Sequence, residues 1–168
     1  MRTTVYLTGF MGTGKSAVGR ALARRLRRTF VDIDEAIEKT AGLSVAELFK
    51  KRGEKEFRRR ERRALERTAR RGGLVVALGG GALMDKSNLA LVEKTGVLVK
   101  LTCSRRELVR RLRPSRLSRP LLKGGTLDDR VRSLLQARRD AHGTEVFSVS
   151  TTRRSTVSAA ALIARRIS

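Results

Sequence analysis

Thr3-Thr4-Val5-Tyr6-Leu7-Thr8-Gly9-Phe10-Met11-Gly12-Thr13-Gly14-Lys15-Ser16 passes from a β-branched run, through a glycine-rich turn, to a lysine and a serine. The first six residues read as a short buried strand. After the turn, Ala17, Val18, Ala21, Leu22 and Leu26 recur at helical spacing, so Ser16 to Arg28 reads as a helix. The turn itself satisfies G-x-x-x-x-G-K-[ST] between a strand and a helix, the context in which that pattern cradles phosphates. Glycines let backbone N–H groups converge on phosphate oxygens without Cβ clashes. The helix behind them adds its positive dipole end. Gly12, Thr13, Gly14, Lys15, Ser16 and Ala17 are the expected nucleotide-binding residues. Lys15 is placed to reach the β and γ phosphates, and the Ser16 hydroxyl to ligate Mg²⁺.

The rest of the chain continues the alternation. Strands are expected at Phe30–Asp34, Leu74–Leu78, Gly96–Leu101 and Val146–Val149. Helices are expected at 35–40, 45–71, 85–94, 104–112, 126–142 and 155–167, with Ser44 and Ser104 as caps. Strands alternating with helices give βαβ units and a parallel sheet covered on both faces. Residues 113–125 hold both prolines, two glycines, three Arg and a Lys, and read as a mobile segment.

Composition narrows the function. The chain has 168 residues, enough for one domain, 1–168, that buries about 70% of its unfolded surface. A single cysteine, Cys103, excludes an intramolecular disulfide and a multi-cysteine zinc site; it is expected to be a small buried residue. The lone His142 excludes a His-based metal cluster. No apolar run approaches the ~20 residues of a membrane span. Met1 to Leu7 has no signal-peptide pattern, so a reducing cytoplasm and no membrane partner are expected. Lys plus Arg is 39 against 16 Asp plus Glu, a formal net charge of +23, and thirty of those cations are Arg. The excess reads either as attraction of polyanions or as compositional preference for Arg on solvated faces. Its end-to-end spread differs from the tail or stripe of a dedicated nucleic-acid binder, so only non-specific binding to nucleic acid is expected.

Asp32 and Asp34 end the second strand, where ligands gather in open parallel sheets. Strand alternation puts both on one side, as a magnesium-holding acid and a proton acceptor, or else as solvated acids at a turn. Gly79-Gly80-Gly81 follows the third strand, as bare backbone against a small substrate or as a flexible exit. Arg58 lies in the run Glu56-Phe57-Arg58-Arg59-Arg60-Glu61, and the helix pattern alone does not select it.

These motifs, with Arg119-Pro120-Leu121-Leu122, stand in an order and spacing that resembles the shikimate kinase family of nucleoside-monophosphate-kinase-like P-loop proteins. The resemblance runs from about residue 4 to residue 138. It implies a three-layer α/β/α fold with a five-stranded parallel sheet in the order 2-3-1-4-5. It implies transfer of the ATP γ-phosphoryl to the 3-hydroxyl of shikimate, with Mg²⁺, by a monomer. By the matching motifs, Asp34 would be the base or hydroxyl-orienting group, and Asp32 with Ser16 would hold Mg²⁺. Arg58 and Arg138 would pair with the shikimate carboxylate, with Glu61 orienting Arg58 and Phe49 and Phe57 beside it. Gly79, Gly80 and Gly81 would line the pocket. Arg119 would close from a lid at about 113–125, and residues 33–61 would form the substrate-binding segment. Arg111 and Arg154 would face adenine. The chain departs from the family pattern at Arg138-Arg139-Asp140-Ala141-His142, where Arg-x-Pro-x-Tyr is usual. Ser155-Thr156 stands in place of Asn-Pro, and Ala17 in place of Thr. A related gluconate or nucleoside monophosphate kinase, or a non-catalytic basic relative binding nucleic acid or a protein, are the alternatives.

Overall fold

A computed structural model describes residues 3–115, 122, 124–137 and 147–167. Five parallel strands form one sheet: β1 (Thr4–Gly9), β2 (Phe30–Asp32), β3 (Val75–Ala77), β4 (Gly96–Thr102) and β5 (Phe147–Ser150). Their order is β2-β3-β1-β4-β5, as the resemblance implied. β1 is central, with Val5 in register with Val75 on one side and Val97 on the other. From β1 the chain first winds toward β3 and β2, then toward β4 and β5. The carboxyl end of β1 is therefore the topological switch point, where such sheets bind ligands.

Alternation along the strands sorts the core into two layers. Val5, Leu7, Val75, Val99 and Leu101 face one side and meet α1 (Lys15–Leu26) and α7 (Thr156–Ile167) through Val18, Leu22, Ala160 and Ile163. Tyr6, Val76 and Leu98 face the other side. They meet α2 (Ile33–Ala41), α3 (Val45–Arg71) and α4 (Lys86–Thr95) through Ile37, Leu65 and Val92. A third cluster joins α5 (Arg105–Leu112) and α6 (Leu127–Ala137) to Phe10 of the glycine-rich turn. It anchors the turn to the segment that leads into 113–125.

The structure differs from the sequence expectations in places that matter. β2 stops at Asp32, not Asp34. Asp32 is the N-cap of α2 and its carboxylate accepts the Asp34 N–H at 3.1 Å, so the helix starts at once and Ile33 and Ile37 fill the core. Strand alternation thus does not place the two acids; a helix cap does. α3 is interrupted at Gly53 (φ 77°, ψ 170°), a kink that a glycine inside a helical pattern did not reveal. Ser44 caps α3 reciprocally with Glu47, as its spacing predicts. α6 is described to Ala137, and the rest of the expected 126–142 helix lies outside the described residues. In the expected lid, Arg113–Ser115 form a 3₁₀ turn and most of 116–123 lies outside the described residues. Cys103 is half-buried, packed at the edge of the third cluster, not enclosed as expected. Among the described residues no helix is long and apolar enough to cross a membrane.

Candidate active site

The loop after β1 is held by its own backbone. Thr13 donates its N–H to the Phe10 carbonyl at 3.2 Å and its hydroxyl to the same oxygen at 2.7 Å. Gly14 has a left-handed φ of 90° and leads directly into α1, a conformation that resists a side chain. Lys15 is the first residue of α1, and its Nζ donates to the carbonyls of Gly9 at 2.8 Å and Phe10 at 3.2 Å. The ammonium therefore lies over the loop, within reach of a phosphate that the loop would cradle. The Ser16 hydroxyl donates to Asp32 Oδ2 at 2.6 Å. One carboxylate thus ties the end of β2 to the start of α1 through Oδ2 and caps α2 through Oδ1.

Ser16 and Asp32 together fit Mg²⁺. Both present hard oxygens at one point, and Mg²⁺ characteristically takes one or two protein ligands beside phosphate and water. Among the described residues no cluster of three or more His, Cys, Asp or Glu forms a metal cage of its own.

Asp34 stands in the first turn of α2. Its Oδ1 is buried and makes no hydrogen bond among the described residues. Burial first, then the charges of Asp32 and Glu61, push its carboxyl up to about 6, while Lys15 pulls the other way. Glu61, on α3, is fully buried, and its Oε1 likewise has no hydrogen-bond partner among the described residues. Burial pushes it above the usual range and Arg58 draws it down. Both oxygens converge on Gly79: a Cβ there would lie 2.8 Å from Glu61 Oε1 and 2.9 Å from Asp34 Oδ1. A Cβ at Gly81 would lie 2.8 Å from Arg58 Nη2. The glycines after β3 are therefore a surface against which three charged side chains close, not a loose strand exit.

Arg58 donates Nη1 to Glu61 Oε2 at 2.8 Å. It also donates Nε and Nη2 to the exposed Glu54 at 3.2 Å. Its guanidinium stands 5.3 Å from the Phe57 ring centroid, and Phe57 packs on Phe49 at 4.7 Å. The neighbouring Arg59 and Arg60 instead pair with Glu56. The helix pattern alone does not separate Arg58 from this run; only the family resemblance does. The signal was the buried stripe Phe57, Glu61, Ala64, Leu65 and Thr68, whose edge carries Arg58.

Arg111, near the end of α5, donates to the Gly12 carbonyl at 3.3 Å and to Thr151, with its Nε on Glu107. Its in-plane donors are thus engaged by Glu107, Gly12 and Thr151. Arg154 is exposed and donates to the Ser150 carbonyl. Ala17 is exposed on α1, one residue beyond Ser16. Arg119 and Arg138, with Arg139 and His142, lie outside the described residues. Asn88 was not foreseen: it is buried and donates to the Ala82 carbonyl at 3.0 Å, fixing the turn after the triple glycine. A cavity of about 220 Å³ beside the glycine-rich loop is lined by Gly9, Phe10, Thr13 and Gly80 together with the end of β4, Cys103 and Leu108. A larger surface groove of about 520 Å³, lined by Leu43, Leu48, Arg52, Glu56 and Arg60, contains neither the phosphate loop nor Asp34, Arg58 or Glu61.

The family model for shikimate kinase matches residues 11–167. The chain belongs to the shikimate kinase family. Within the family, a shikimate kinase of Geobacter sulfurreducens is 42% identical over 147 residues, covering 88% of this chain and 81% of the relative. One of Desulforudis audaxviator is 43% identical, covering 88% and 77%. The solved shikimate kinase from Acinetobacter baumannii in complex with shikimate superposes with a TM-score of 0.90 at 32% identity, over 99% of this chain and 93% of that one. Family membership and the α/β P-loop kinase fold thus agree.

Proposed function

We propose that this enzyme transfers the γ-phosphoryl group of ATP to the 3-hydroxyl of shikimate. One observation carries the reading: Asp34, Glu61 and Arg58 converge on Gly79 and Gly81, at the end of the strand paired with β1 and so beside a phosphate loop whose lysine is already in place. In this reading Arg58 is a carboxylate-binding fork and Asp34 a hydroxyl-accepting carboxylate on the two sides of one small site. A nucleoside monophosphate offers no carboxylate for that fork.

In this reading the backbone N–H groups of Gly12, Gly14, Lys15 and Ser16 hold the nucleotide phosphates and Lys15 neutralises the charge that shifts toward the leaving oxygen. Ser16 and Asp32 would hold Mg²⁺, which supplies electrostatic stabilisation of the phosphate oxygens when bound. Arg58 pairs with the shikimate carboxylate through a planar fork that Lys does not reproduce. Glu61 holds that guanidinium from behind. Asp34 accepts the hydrogen bond of the attacking hydroxyl and takes its proton as the new P–O bond forms. Gly79, Gly80 and Gly81 leave room for the ring. On the family resemblance alone, Arg138 completes the carboxylate clamp and Arg119 covers the transferring phosphoryl from a lid over 113–125, excluding water. On the same ground Arg111 and Arg154 flank the adenine, and the enzyme acts as a cytoplasmic monomer.

ADP release with Mg²⁺ and ATP, run in parallel with shikimate, gluconate and AMP, tests the reading. Stimulation by shikimate alone is the expected result. Equal or greater stimulation by gluconate or AMP contradicts it.

A pH dependence follows from Asp34. The carboxyl must be ionised to accept the proton, and its ordinary value of 3.8 is raised to about 6. We therefore expect kcat/KM for shikimate to fall about tenfold per pH unit below roughly pH 6 and to level off above it. A profile flat down to pH 5 would remove Asp34 from the proton-accepting role.

A further inference from the structure

Thr151 follows β5 directly and is 3% exposed. Three polar groups surround its hydroxyl: the Thr13 carbonyl at 2.9 Å, Arg111 Nη1 at 3.1 Å and the Thr102 carbonyl at 3.2 Å. A hydroxyl donates one proton, so the closest carbonyl, that of Thr13, is the principal acceptor, while the oxygen accepts from Arg111. The Thr151 backbone is engaged as well. Its N–H donates to the Thr102 carbonyl at 2.8 Å, and its carbonyl accepts from Arg111 Nη2 at 2.8 Å. Arg111 continues the chain to the Gly12 carbonyl, and Glu107 fixes the other edge of its guanidinium.

This knot has a consequence for the phosphate loop. In a planar trans peptide the C=O of one residue and the N–H of the next point in opposite directions. Drawing the Thr13 carbonyl toward Thr151 therefore turns the Gly14 N–H the other way, into the concavity of the loop. The Gly12–Thr13 peptide is held in the same manner, its carbonyl on Arg111 and its N–H on the Phe10 carbonyl. Glycine at 12 and 14 makes the loop easy to re-aim, so its orientation depends on such outside anchors.

We propose that Thr151 is a positioning residue for the nucleotide: its hydroxyl, through the Thr13 carbonyl and Arg111, holds the phosphate loop in its anion-binding orientation. The proposal rests on the reading that this loop takes ATP, and not on the identity of the acceptor.

Thr151→Val removes the hydroxyl and keeps the shape. Losing a hydrogen bond to a buried carbonyl costs about 1.4 kcal/mol, roughly tenfold in affinity. We expect the ATP Kd, measured by calorimetry without shikimate, and the ATP KM to rise about tenfold, with the shikimate KM within about twofold of the parent. Thr151→Ser, which keeps the hydroxyl, is expected to restore ATP affinity to within about twofold. If the valine variant does not fold, Thr151→Cys serves in its place, since a thiol is a weak donor of similar size; weakened ATP with unchanged shikimate supports the proposal. An unchanged ATP Kd in a folded valine or cysteine variant overturns it. So does a serine variant as weak as the valine one, or an equal loss for both substrates. Because ATP binding is read without an acceptor, an enzyme that ignores shikimate leaves this test intact.

Discussion

The Asp34→Asn enzyme is expected to lose at least about a thousandfold in kcat, to bind ATP within about twofold of the parent, and to melt at a higher temperature. The first effect follows from the loss of the group that accepts the hydroxyl proton. The second follows from position: Asp34 faces Gly79 and Glu61, whereas the phosphate loop is tied to Asp32 through Ser16. The third is a linkage argument. A carboxyl whose folded value lies above its unfolded value favours the folded state while protonated, and that contribution is lost as pH rises through the folded value. For Asp34 the displacement from 3.8 to about 6 means that the ionised form costs roughly 3 kcal/mol at neutral pH. Asparagine removes that charge, so the gain in melting temperature should be present at pH 8 and vanish near pH 4. Steady-state kinetics, calorimetry with ATP and melting curves at the two pH values check the three parts. Normal turnover by Asp34→Asn would exclude the proposed role.

Arg58→Ala is expected to raise the shikimate KM about a hundredfold and to leave the ATP KM unchanged, because a bidentate charged pair is worth about 3 kcal/mol. The structure shows how the guanidinium can take a carboxylate. Its bond to buried Glu61 is short, at 2.8 Å, while its two bonds to exposed Glu54 are both 3.2 Å. An incoming carboxylate can displace Glu54 and leave Glu61 in place. Arg58→Lys should recover little of the loss, since one ammonium cannot reproduce the fork. Arg58→Ala also leaves Glu61 buried without its cation, so a lower melting temperature should accompany the kinetic change. Glu54→Gln separates the two effects: it frees the outer edge of the guanidinium and should not weaken shikimate. An unchanged shikimate KM in Arg58→Ala would place the carboxylate elsewhere.

The central strand and loop were legible in the sequence because their signals are local. A β-branched run, a spaced pair of glycines and a Lys-Ser pair specify geometry within a dozen residues. The remaining strands are legible for the same reason, though the second was expected to run to Asp34 and ends at Asp32, where α2 begins. What the sequence did not display are contacts between distant segments. Only the family resemblance marks Arg58 along the chain; its physical distinction is Glu61 buried against Gly79, a contact between α3 and the exit of β3. Thr151 lies 138 residues from the loop that it holds, and Asn88 acts through a backbone carbonyl, so neither produces a pattern along the chain. The Gly53 kink is a case of real ambiguity, since glycine inside a helical pattern is compatible with both a helix and a break.

The most direct test of the whole account is the identity of the product. Shikimate, ATP and Mg²⁺ incubated with the enzyme should give one phosphomonoester, and a phosphorus–proton correlation spectrum should couple its phosphorus to the proton on ring carbon 3. A single product with that coupling is the predicted result. Phosphorus coupled to another ring position, or ADP formed with inorganic phosphate alone, would contradict the account.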